Sequence, residues 1–280
     1  MGDIKKTNPI FLVLINALMV VFAVLAIYPI FWVVIQSFKT TQEYMTTSKL
    51  AFPQRWFVRN YPISWENAQF GILIINSIFY TSITVVLEIA LSFMAGFAIA
   101  KLPNKITPII HGSFIVGILL TLQSILVPLY LMIRAVELYN TRWGVIIPYV
   151  GIGLPMGVYL STEYIKSIPQ SVIESARIDG AKYLLIFWKI IMPIAAPVAV
   201  TMAILGVTGT WNEFMLINIL VSKTELKSLP VGINQFSGAR ASDFGKQFSA
   251  LTIGMTPMII FYMIFRKQIT KGVVAGAIKG

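Results

Sequence analysis

Residues 163–197 read EYIKSIPQSVIESARIDGAKYLLIFWKIIMPIAAP, a charge-bearing stretch with long apolar runs on both sides. Ser167, with Gln170 three residues on, has the spacing of a capping box, and Pro169 suits a first helical turn. Ile173, Ala176 and Ile178 form a short apolar stripe, while Glu174, Arg177 and Asp179 keep the remaining surface wet. Gly180 is where this helix is expected to stop or turn sharply, because glycine enters the left-handed region without steric cost. A second amphipathic piece is expected over residues 181–191, with Pro193 and Pro197 marking entry into the next apolar run. From the residues alone, the stretch is either a plain loop joining two membrane helices or a structured helix offered to a soluble partner.

The composition decides the solvent. Apolar residues make up 57% of 280 and charged residues only 12%, too few to cover a water-soluble domain. The chain is therefore expected to be an all-α integral membrane protein. It has no cysteine, which excludes disulfides, thiolate metal sites and cysteine nucleophiles. The formal charge of +11 is spread over short linkers between apolar runs, as suits anchoring at anionic headgroups rather than nucleic acid. The first apolar run lacks a small-residue cleavage site and reads as a retained membrane helix.

Six spans are expected. The first covers residues 10–38, with Pro29 kinking or ending it, and follows a polar tail (1–9) carrying Lys5 and Lys6. Residues 39–69, with Trp56, Tyr61 and Trp65, read as a cap lying at the membrane surface. The second span (71–100) carries Asn76, Ser77, Thr81, Ser82, Thr84, Glu88, Ser92 and Gly96, so one face is expected to meet protein or a water-filled path. The third covers 106–132, distorted near Pro128. The fourth (143–160) holds Pro148, Gly151, Gly153, Pro155 and Gly157, a poor regular helix that neighbours must shield. The fifth covers 194–220 and the sixth 248–265, which puts both tails on one side. Lys and Arg divide almost evenly between the two faces, so the positive-inside rule barely decides orientation. The last tail, with Arg266, Lys267, Lys271 and Lys279 and no acidic residue, favours the cytosol.

The string ESARIDGA at 174–181, followed by Phe187, Ile190, Pro193 and Pro197, closely resembles the EAA motif of permease subunits in binding-protein-dependent ABC importers. It is most similar to the sugar branch represented by the smaller permease of the maltose transporter. Ser175 stands where that motif usually has Ala, and Met192 where Leu is frequent. WNEF at 211–214 and the terminal KGVVAGAIKG at 271–280 strengthen the likeness. The resemblance implies a six-helix domain of the type I importer kind over 10–265, flanked by cytosolic tails at 1–9 and 266–280. It also implies a cytosolic coupling helix between helices four and five, within 163–193. The implied partners are a homologous second permease, two cytosolic ATPase subunits, an extracytoplasmic solute-binding protein, a sugar and membrane lipid. Localisation would be the prokaryotic cytoplasmic membrane, and the chain a translocator, not an enzyme.

The residues expected to dock the ATPase are Glu174, Ser175, Ala176, Arg177, Asp179, Gly180 and Ala181. Glu174 and Arg177, three apart, have the spacing to pair with each other or with the partner; alternatively they only keep an exposed helix soluble. Glu88 and Glu213 are the acidic residues well inside apolar segments, and an intramembrane carboxylate is costly enough to mark a candidate site. Trp211, Asn212, Glu213 and Glu88 are candidates for the substrate path, against helix packing or gating as the plainer role. The contrasting function is an ion-coupled secondary transporter using Glu88 or Glu213 as a relay. His111 stands alone, so it reads as packing rather than a metal ligand. No GxxxxGK[ST] loop occurs, so ATP and magnesium are expected on partner subunits, with no cofactor bound by this chain. A membrane-embedded enzyme finds no support: there is no HExxH and no cysteine nucleophile. Which sugar is carried is not written in the sequence.

Overall fold

The structure is a computed structural model that describes residues 9–102, 104–236 and 243–277. Lys5, Lys6 and Lys279 lie outside the described residues, as do the side chains of the glycine-rich tail from Lys271 on. Regular structure among the described residues is helical: α1 (Pro9–Gln36), α2 (Thr41–Thr46), α3 (Asn60–Asn67), α4 (Phe70–Lys101), α5 (Thr107–Ile118), α6 (Leu122–Ala135) and α7 (Arg142–Lys166). Then follow α8 (Gln170–Ile178), α9 (Tyr183–Ile186), a π turn (Phe187–Ile191), α10 (Met192–Ile194), α11 (Ala196–Asn212), α12 (Met215–Leu220), α13 (Leu229–Asn234) and α14 (Phe244–Ala277).

Four stretches are long and apolar enough to cross a bilayer: Ile10–Gln36, Phe70–Lys101, Arg142–Lys166 and Phe244–Thr270. Two bent pairs raise the number to as many as six. One is α5 with α6, turned by 108°, and the other is Tyr183–Ile194 with α11, turned by 74°. The third expected span is thus broken. The break falls at Leu119–Thr121 and not at Pro128, which sits inside a continuous α6.

Proline was a weaker breaker than expected elsewhere too. α1 continues through Pro29 to Gln36, and α7 is one helix of 25 residues despite Pro148 and Pro155. The fifth expected span ends early, because the chain turns extended at Glu213 before α12 starts. α14 is longer than the sixth, since its polar ends remain helical.

The chain packs as two units. One takes residues up to Gln69 together with 233–257. In it the Asn60 amide donates to the carbonyls of Ser37 and Lys39, both at 2.8 Å, and Ser64 and Ser249 share a hydroxyl hydrogen bond of 2.7 Å. Asp243 caps α14 by accepting from the Lys246 amide, and also accepts from the Thr41 hydroxyl at 2.7 Å. Of the aromatic residues expected at the membrane surface, Trp56 and Trp65 are exposed, whereas Tyr61 turns inward to the Ser37 hydroxyl.

The other unit takes 70–232 and the residues from 258 on. Here α4, α7 and α11 pack closely. Asn76, Ser77, Thr81, Thr84, Glu88 and Ser92 are buried, so the polar face of α4 does meet protein, whereas Ser82, expected with them, is exposed. Small residues permit the approach: a Cβ on Gly96 would strike the Ser161 hydroxyl, and one on Gly157 the Ser92 hydroxyl. α7, rich in small residues, is half-buried as expected.

Candidate functional site

α7 ends at Lys166, and the chain turns through Ile168 and Pro169 into α8. The expected capping box does not form. Ser167 donates its hydroxyl back to the Tyr164 carbonyl, and Pro169 takes the N-cap position with no side-chain cap. Ile173 and Ala176 are buried against Phe93, Phe97, Ile165, Ile168, Phe187 and Ile191. Ile178 departs from the expected stripe: it is 85% exposed. Five residues beyond Ile173, it has passed round to the opposite side of the helix.

The end of α8 is tightly specified. Gly180 has φ +82°, its amide donates to the Arg177 carbonyl, and the Ala181 amide donates to the Ala176 carbonyl at 2.9 Å. That pair of bonds is a Schellman motif, and its left-handed position suits glycine. Glu174 and Arg177 make no ion pair with each other; the Arg177 guanidinium instead lies 4.5 Å from the Tyr183 ring centroid. Glu174, Ser175, Arg177, Asp179 and Gly180 are exposed and Ala181 is half-buried. The second expected amphipathic piece is α9 followed by the π turn, with Ile186, Phe187 and Ile191 inward and Leu184 and Trp188 outward.

One residue of this site was missed in the sequence. Lys101, the last residue of α4, is buried, and its ammonium donates to the Ile168 carbonyl at 2.6 Å. It ties the end of one span to the entry of α8. Nothing local marks it, because its acceptor lies 67 residues on.

The two intramembrane carboxylates line one cavity of about 280 Å³, together with Leu122, Tyr149, Ile152, Gly153, Gly206 and Thr210. Their environments differ. Glu213 accepts from the Leu216 amide (2.8 Å), the Ile217 amide (3.4 Å) and the Tyr149 hydroxyl (2.7 Å). It therefore holds the start of α12 across the break at Phe214. Glu88 is 9% exposed, and a Cβ on Gly153 would lie 2.5 Å from its carboxyl carbon. Gly206 flanks it from α11. Trp211 is buried and Asn212 exposed, its amide donating to the Thr208 carbonyl; neither lines the cavity. His111 packs 3.9 Å from Glu163, and no group of three or more acidic or histidine side chains among the described residues could hold a metal.

A family model described as the inner membrane component of binding-protein-dependent transport systems matches residues 5–274. The chain belongs to this family. The permease is 33% identical to a probable ABC transporter permease protein, YurM, of Bacillus subtilis, over 90% of this chain and 84% of that one. It is 31% identical to the trehalose transport system permease SugB of Mycobacterium tuberculosis, over 91% and 93% of the two chains. It is 32% identical to the multiple sugar-binding transport system permease MsmG of Streptococcus mutans, over 94% and 95%. In fold it matches a chain in the crystal structure of a bacterial ABC transporter involved in import of the acidic polysaccharide alginate. There the TM-score is 0.82 at 22% identity, over 95% of this chain and 99% of that one. The permease is accordingly a multi-pass protein of the inner membrane and a transport subunit rather than an enzyme. The ion-coupled secondary transporter is set aside by the same findings.

Proposed function

We propose that this permease is the membrane-spanning translocation subunit of an ATP-driven carbohydrate importer, and that α8 is its coupling helix. The supporting observation is the build of α8: an inner face locked into the packing of α4 and α7, an outer face with exposed Ile178 and Arg177, and a Schellman turn fixing its end. A partner that grips the outer face moves the inner face with it. The domain limits proposed with it are a transmembrane region over 10–265, with the coupling stretch at 163–193, between cytosolic tails at 1–9 and 266–280.

The partners are a homologous second permease, two cytosolic ATPase subunits that carry ATP and magnesium, and an extracytoplasmic binding protein. ATP binding draws the ATPases together and displaces α8; hydrolysis lets it return. Such a switch requires contacts that differ between two states. Glu174, Ser175, Arg177 and Asp179 face the ATPase, Ala176 packs inward, and Gly180 with Ala181 sets the turn. An oligosaccharide is the favoured substrate class, because several relatives are named for trehalose, multiple sugars, diacetylchitobiose, or melibiose, raffinose and stachyose, while another is named for a sulfoquinovosyl glycerol. The cavity of Glu88 and Glu213 lies on the translocation path, while Trp211 and Asn212 support the bend beside it.

Uptake of labelled oligosaccharides into vesicles carrying the assembled subunits tests the reading. Transport is expected to require ATP and to persist with a protonophore. Transport that runs without any ATPase and collapses with the protonophore would contradict it.

A further inference from the structure

The segment that follows the first span carries an exposed surface that is both apolar and basic. Residues 44–65 contain Lys49, Arg55 and Arg59 and no acidic residue. Leu50, Phe52 and Trp56 are exposed at 72%, 63% and 57%, with Val58 also outward. So dense an apolar group is unusual on a surface in water and marks a contact.

Its place in the fold says what the contact is. The Trp32 indole donates to the Lys49 carbonyl at 2.8 Å, and the Gln36 amide reaches the same carbonyl at 3.1 Å. The Phe52 ring meets Phe31 edge-on, with centroids 6.5 Å apart. Phe31 and Trp32 belong to the last turns of α1, whose most apolar stretch has no buried residue. The loop is therefore fastened alongside a membrane-spanning helix at the level of its end, and its apolar side chains continue the lipid-facing surface. Glu43, the nearest carboxylate before the loop, is occupied by the Gln54 amide at 2.5 Å. Arg55 and Arg59 are exposed and make no ion pair among the described residues.

We infer that residues 49–59 form a foot seated in the leaflet at the Gln36 end of α1, with Leu50, Phe52 and Trp56 among the upper acyl chains and Arg55 and Arg59 on anionic phospholipid headgroups. Tryptophan suits this depth, long basic side chains reach from it to the phosphates, and anionic lipid adds attraction for each basic residue. In the proposed topology this is the extracytoplasmic leaflet, but the inference concerns the loop and α1 alone.

The absence of cysteine makes the test clean. Phe52→Cys and Trp56→Cys are introduced singly in the full-length chain, purified with its co-assembling subunits. Each is spin-labelled and reconstituted in vesicles of phosphatidylglycerol and phosphatidylcholine, with Gln42→Cys as an exposed control. Labels at 52 and 56 are expected to collide with oxygen several-fold more than with a water-soluble nickel complex, and the control the reverse. Arg55→Gln with Arg59→Gln is expected to make the label at 56 shallower in the mixed vesicles but not in phosphatidylcholine alone. Labels open to nickel would place the loop in water and overturn the inference. Labels closed to both reagents would show that a protein subunit covers it, also overturning it. No dependence on phosphatidylglycerol would remove the headgroup contact. None of these readings depends on ATP, so they stand apart from the fate of the coupling helix.

Discussion

Glu88 and Gly153 are best considered together. A carboxyl group buried in the membrane is tolerated only where the fold leaves room for it, and here α7 provides that room by omitting a side chain. Gly153→Ala is expected to destabilise the permease by about 1–3 kcal/mol through overpacking. In combination with Glu88→Ala that cost is expected to vanish, a non-additivity that thermal unfolding of the four variants would expose. Equal costs in both backgrounds would mean that the two residues do not press on each other. Asp243 offers a pH test. Burial alone would raise its pKa, but hydrogen bonds from Lys246 and Thr41 and the Lys246 charge outweigh it, and the carboxyl is held below its ordinary range. A depressed folded pKa gives stability that is present above the unfolded value of about 3.9 and is lost as pH falls through the folded one. The difference in Tm between wild type and Asp243→Asn is therefore expected to be full near neutral pH and to shrink below about pH 4. A difference that stays constant with pH would assign the effect to packing instead.

At the scale of elements, what could be read from the sequence was local and what could not was tertiary. Gly180 was legible because a helix end needing a left-handed residue advertises it. The polar face of α4 was legible because a row of Asn, Ser and Thr in an apolar helix has few uses other than protein contact. The bend between α5 and α6 was not, since Leu119 and Leu120 carry no glycine or proline signal. α7 misled in the opposite direction, since it continues as one helix through both of its prolines. Ile178 misled because a short stripe does not reveal where the face ends. Lys101 and the Tyr149–Glu213 bond were invisible, as each joins residues more than sixty positions apart. Lys101 nonetheless makes a prediction. If it transmits movement between α8 and α4, Lys101→Met should leave ATP hydrolysis running while sugar transported per ATP falls several-fold, and Lys101→Arg should restore much of it. A parallel loss of both activities would reduce Lys101 to a structural clamp.

For the molecule as a whole, the sequence carried the solvent, the helical class and the family likeness, because membrane composition and a spaced motif are both one-dimensional signals. The relation of α8 to the spans had to come from packing. The central claim is that the outer face of α8 receives the ATPase, and Ile178 tests it most directly because its exposure makes a polar replacement harmless to the core. The measurement is substrate-stimulated ATP hydrolysis by the reconstituted assembly, comparing wild type with Ile178→Asp at equal membrane insertion. Loss of stimulation together with loss of ATPase co-purification is the expected result; unchanged stimulation with the ATPase still bound would contradict the claim.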